Sequence, residues 1–129
     1  MDSILVSIKK LLGITEEYTH FDTDLIMHIN SAFSILTQLG VGSSAGFSIR
    51  DEFAKWTDFL EEDPRLEMVK TYVHLKVKLM FDPPDRSAVA DAVKRQIDEL
   101  EFRLMVAADE VASKTTVVNG FDFIIDWGE

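Results

Sequence analysis

The run His74-Leu-Lys-Val-Lys-Leu-Met-Phe-Asp-Pro-Pro-Asp-Arg-Ser-Ala-Val89 contains the hardest stop in the chain. Pro83 drives Asp82 out of the α region, and Pro84 does the same to Pro83. Neither proline has an N–H to donate. A helix running past Phe81 would lose about 3 kcal/mol at the first interior proline alone. A patterned run therefore ends at Phe81, and a second must begin within a few residues. Asp82, Pro83 and Pro84 form a structural hinge between two helices, and so short a link favours an antiparallel hairpin.

The flanking patterns support two long helices. Before the stop, Asp63 suits an N-cap, Pro64 the first helical position and Glu67 the capping-box acid. Leu66, Val69, Val73, Val77 and Met80 make the main apolar stripe, widened by Tyr72 and Phe81. After the stop, Asp85 or Ser87 can cap a new helix. Val89, Val93, Ile97, Leu100, Leu104 and Ala107 then recur at steps of four and three. The acid-first pairs Asp91–Arg95 and Glu99–Arg103 each add a few tenths of a kcal/mol.

Two further helices precede the hairpin. Ser3 and Gly13 bracket Ile4, Leu5, Ile8, Leu11 and Leu12, which share one face. Asp22 or Thr23 can cap a run through Leu25, Ile26, Ile29, Ala32, Phe33, Leu36 and Leu39, ended by Gly40 and Gly42. Residues 40–48 are the most turn-rich stretch. Between 47 and 61 the pattern predicts a short strand at 47–50 and a helical turn at 57–61, with Phe53, Trp56 and Phe59 covering one end of the core. After Ala112 the sequence becomes β-leaning. Asn119-Gly120 lies between Thr115–Val118 and Phe121–Ile125, a hairpin signal. The expected fold class is mainly α: a bundle of about four helices with a long antiparallel hairpin made by the third and fourth. Residues 1–112 form the helical domain and 113–129 a β-leaning C-terminal tail.

Composition narrows the function. The 129 residues set a prior of one domain. A hydrophobic share of 47% argues for a folded core. With no cysteine, disulfides and thiolate metal sites are excluded. MDSILVSIKK reads as an amphipathic start, not a signal peptide, and no apolar run suits a membrane span. The net charge of −10 is spread along the chain. No block is basic, which argues against wrapping a nucleic-acid backbone.

Candidate chemistry is sparse. Asp24 and His28 at i,i+4 could share a metal, but two such residues do not make a site. His74 reads as a residue at the edge of the apolar stripe. Glu61, Glu62 and Asp63 resemble a carboxylate cluster, yet Asp63 already has a capping role. Gly40-Val-Gly-Ser-Ser-Ala-Gly46 lacks the lysine of a phosphate loop. No enzymatic activity and no cofactor are expected. Phe121, Phe123, Ile124, Ile125 and Trp127 are costly to leave in water. They either fold back onto the helices or form a protein interface on another subunit.

The order of pieces carries a resemblance. KKLLGI is followed by FDTDLIMHINSAFSILTQLGVG, then WTDFL, then VKTYVHLKVKLMFDPPDRSAV and a helix with IDELEFRL. Over about residues 1–109 this resembles the small head–tail connector (adaptor) proteins of tailed bacteriophages and prophages. The helix ending Leu-Met-Phe-Asp-Pro-Pro is the most specific part. The resemblance implies a non-enzymatic virion protein, made in the host cytoplasm, whose copies close into a ring beneath the portal. That ring extends the DNA exit channel and docks the next connector, a stopper or tail-completion protein. DNA would pass without specific binding. Two other readings compete. One is a small acidic helical interaction module binding a single protein partner. The other is a hydrolase built on Asp24, His28 and the acids at 61–63.

Overall fold

The computed structural model describes the backbone of residues 3–61 and 63–119 and the side chains as far as Asp109. It is mainly helical: α1 (Ile4–Leu11), α2 (Asp22–Gln38), the single turn α3 (Trp56–Phe59), α4 (Leu66–Phe81) and α5 (Ser87–Asn119). Helix α1 packs on α2, α2 on α4, and α4 on α5.

Helix α1 starts where the sequence places it. The Ser3 hydroxyl accepts from the Val6 N–H at 3.2 Å and donates to the Glu52 carbonyl. Ile4, Leu5 and Ile8 are buried, while Leu11 is exposed. Helix α2 begins at Asp22 with no side-chain cap; Asp22 and Asp24 instead sit in the first turn, where the helix dipole favours acids. Leu25, Ile29, Ala32, Phe33 and Leu36 face the core. The helix ends in a Schellman motif. Gly40 takes φ +88°, its N–H donates to Thr37 O at 3.0 Å, and Val41 N–H donates to Leu36 O at 2.9 Å. Val41 is buried behind it.

The expected strand at 47–50 does not form. That stretch has no regular structure, and its polar backbone is satisfied by a side chain instead. Asn30 Nδ2 donates to Ile49 O at 3.0 Å, and Ile49 N–H donates to Asn30 Oδ1 at 2.7 Å. One amide thus supplies the donor–acceptor pair that a neighbouring strand would have offered. Phe53 is a second correction. It is 75% exposed, because the loop is held by Ile4 N–H on Ala54 O and by the Ser3–Glu52 bond, which turn Phe53 outward. Trp56 and Phe59 are buried as expected. Trp56 Nε1 donates to Ser7 Oγ at 2.9 Å. Phe33 gathers the rings of Phe59 and Phe47 at centroid distances of 4.6 and 4.9 Å.

Before α4, the Asp63 carboxylate caps a turn rather than the helix itself. It accepts from Arg65 N–H at 2.8 Å and from the Arg65 guanidinium at 3.0 and 3.1 Å, so the helix opens at Leu66. Tyr72, expected at the margin of the stripe, is fully buried with Val69, Val73 and Val77, whereas Met80 is exposed. Asp82 ends α4, donating its N–H to Lys78 O at 2.9 Å. Residues 82–86 link to α5.

Helix α5 runs on to Asn119, so residues 113–119 are helical and not β-leaning. The β-branched run Thr115–Val118 costs a helix only a few tenths of a kcal/mol per residue. Asn-Gly also marks a helix stop as well as a hairpin turn. The remainder of that segment, 120–129, lies outside the described residues.

Gly42 has φ +83°, and a Cβ there would stand 2.7 Å from Phe59 Cε1. Gly46 has φ +94° with open space around it. Gly46→Ala should therefore cost about 1–2 kcal/mol from backbone strain alone. Gly42→Ala should cost at least ~1 kcal/mol more, because the Phe59 ring must also move. Urea denaturation of the two variants checks the order.

Candidate assembly surface

The hairpin of α4 and α5 is joined along a narrow seam. Among the described side chains of α5, Ile97, Leu104 and Ala108 are buried, with Val93 and Leu100 half-buried beside them. A polar clamp sits in the same seam: the Tyr72 hydroxyl donates to Glu101 Oε2 at 2.7 Å, and Lys76 Nζ lies 3.9 Å from that oxygen. Burial, reinforced by the Glu101 carboxylate, holds the Tyr72 phenol well above its usual range, so it remains a donor. Val89, expected in the seam, is exposed near the start of the helix.

Away from the seam, α5 displays a second apolar stripe. Phe102 is 62% exposed, and Met105 and Val106 are exposed beside it. The i, i+3, i+4 spacing puts all three on one face, about half a turn from Leu104. Arg95 lies two turns before Phe102, and Arg103 is next to it, 3.6 Å from Glu99. Sequence reading missed this stripe, although its i, i+3, i+4 spacing is the signal that could have found it.

At the other flank, α1 and the following loop form an open groove of about 500 Å³. It is lined by Val6, Ser7, Lys10, Gly13, Ile14 and Glu16, among others. The loop that carries Glu16 is tied to α1 by a lysine whose ion pair sequence reading missed. Lys9 is only 2% exposed; its ammonium donates to Glu16 O at 3.0 Å and stands 2.9 Å from Asp22 Oδ1. That oxygen is buried without a well-aligned hydrogen bond, so the lysine charge is its compensation. KK in an amphipathic helix reads as two surface lysines, and nothing local in the sequence marks one as buried.

The other sequence candidates are placed as follows. Asp24 and His28 gain no third ligand: no group of three or more metal-ligating residues occurs among the described residues. His28 packs toward the Phe81 ring instead, at a centroid distance of 6.5 Å. Phe81 also meets Phe21 at 5.2 Å, tying the end of α4 to the start of α2. His74 is half-buried, and desolvation, with the nearby Lys78 charge, pushes its pKa below the ordinary value of 6.5. Glu61 is exposed, Glu62 lies outside the described residues, and Asp63 is committed to Arg65, which holds its carboxyl below the usual range. Pro83 and Pro84 stand between α4 and α5. Phe121, Phe123, Ile124, Ile125 and Trp127 lie outside the described residues.

The family profile described as phage connector protein matches residues 4–111. This chain is a phage connector protein by family. The matched span contains α1 to α4 and most of α5, so both flanks described above fall inside it. A search of curated proteins and a search of solved structures each return no match. Family membership makes the protein a structural component of a phage particle that works in assembly with other phage structural proteins. No described helix is long and apolar enough to cross a membrane.

Two outcomes follow for the seam and its margin. Tyr72→Phe should cost about 1 kcal/mol, because Glu101 loses its neutral donor; chemical denaturation measures it. His74 takes up a proton more readily in the unfolded chain than in the folded one. Its contribution is therefore fully present above pH 6.5 and is lost as pH falls below that value, levelling off under the folded-state pKa. Stability profiles from pH 8 to 5 should be flatter in His74→Gln than in the wild type.

Proposed function

We propose that this connector is a non-enzymatic ring subunit seated beneath the portal. Its ring extends the DNA exit channel and presents a platform for the next connector, a stopper or tail-completion protein. The carrying observation is the family match over 4–111, taken with the two exposed apolar flanks on α1 and α5. A ring needs head-to-tail contacts in which two different faces of each subunit meet. Between Ser87 and Asp109, the face of α5 that carries Phe102, Met105 and Val106 is exposed and open to a neighbour.

The charge fits a passage role. Acidic residues outnumber basic ones 23 to 13, and an acidic channel wall repels the DNA backbone. DNA then passes without specific binding, and no metal or cofactor takes part. The aromatic segment with Phe121, Phe123, Ile124, Ile125 and Trp127 follows α5 directly and supplies anchors of the kind that fill pockets on a partner. On this reading it docks on the portal or a neighbouring subunit. The subunit is made in the host cytoplasm and ends at the head–tail interface of the virion.

The test is the mass of the assembled species, by analytical ultracentrifugation of the purified chain with and without purified portal. A discrete closed oligomer, alone or on the portal, is the expected result. A chain that stays monomeric or dimeric with the portal present overturns the proposal and favours a module with a single partner.

A further inference from the structure

We propose that the outer face of α5 in one subunit seats in the α1 groove of the next, with Phe102 as the anchor. The inference rests on the ring reading above and specifies which faces meet. The occupant of the groove is a second copy of this chain.

Three observations carry it. First, the packing order α1, α2, α4, α5 puts α1 and α5 on different partners within the subunit, so their free faces are available to two different neighbours. That is the arrangement a head-to-tail contact requires and a two-fold contact does not. Second, the faces match in kind. Phe102, Met105 and Val106 form a projecting apolar stripe, and the groove beside Val6 and Ile14 is concave, with room for a phenyl ring. Leu11, 58% exposed, follows the lining residue Lys10 in α1. Third, the charges at the two rims are of mixed and opposable sign. Arg95 and Arg103 border the stripe, and Glu16 lines the groove; Glu99 and Asp109 on α5 have Lys10 to meet. Charges so placed fix register more than they add affinity.

The groove is also held rigid for such a role. Lys9 bonds the Glu16 carbonyl from inside, so the loop that forms one wall is fixed before a neighbour arrives. A preformed pocket lowers the ordering cost of association.

The native chain has no cysteine, which makes the test clean. Leu11→Cys and Phe102→Cys are introduced together and singly. Each full-length variant is incubated with portal and treated with a short bis-maleimide. The double variant should give a ladder of covalent multimers, and neither single variant should. A covalent dimer from Phe102→Cys alone would mean that two α5 faces meet each other, and overturns the pairing. A closed oligomer by sedimentation with no ladder from the double variant also overturns it, while leaving the ring reading intact. Failure of every variant and of the wild type to oligomerise on portal overturns both. As a second readout, Phe102→Asp should keep the wild-type circular dichroism and melting, since the side chain is exposed, but weaken assembly at least ~tenfold. Unchanged assembly of Phe102→Asp contradicts the anchor role.

Discussion

The backbone cannot continue as a helix through Asp82, and the arrangement of the hairpin follows from that. Pro83 and Pro84 withhold two donors and force an extended path, so α4 and α5 must be separate rods. Once separate, they need a reason to lie together. The seam of Val93, Ile97, Leu100 and Leu104 supplies apolar burial, and Tyr72 with Glu101 supplies direction. Apolar stripes alone tolerate sliding by a turn. A buried hydroxyl that must meet one carboxylate does not, because a slipped register leaves a buried donor unpaired.

The same logic recurs in the N-terminal half. Lys9 between Glu16 and Asp22 and Asn30 clasping Ile49 each tie a loop to a helix through a buried or half-buried polar group, and Trp56 on Ser7 ties the turn α3, which follows that loop, to α1. None of these bonds adds much net stability by itself. Each makes an alternative placement of its loop costly. The result is a small body whose long loop, 39–55, is positioned without a sheet.

Much of the helical plan was legible in the sequence, because helices write their burial as a period. Ile4, Leu5 and Ile8, the Leu25–Leu36 face, the Asp-Pro-Pro stop and the Ile97–Leu104 stripe all read directly from spacing. The misreadings have physical causes. FSIR resembles a strand, but Asn30 met its backbone needs from nineteen residues away. Phe53 is apolar, yet the hydrogen bonds of its neighbours turn it outward. Met80 has the right spacing but lies in the last turn of α4, where it is 39% exposed while Phe81 packs on Phe21. Thr115–Val118 has strand-forming side chains, but it follows a helix already propagating. Neither candidate surface was read from the sequence. The spacing of Phe102, Met105 and Val106 is a periodic signal that was passed over, whereas the groove beside α1 depends on a lysine whose burial no local pattern announces.

The connector family gives this helical body a setting in the phage particle. The account stands or falls on the hairpin. Spin labels at Thr71→Cys and Phe102→Cys, both exposed positions flanking the Tyr72–Glu101 clamp, report it directly by electron–electron distance measurement. Packed antiparallel helices place the labels roughly 10–20 Å apart. A single continuous helix across the prolines would place the 31 intervening steps about 47 Å apart, and that distance would contradict the account.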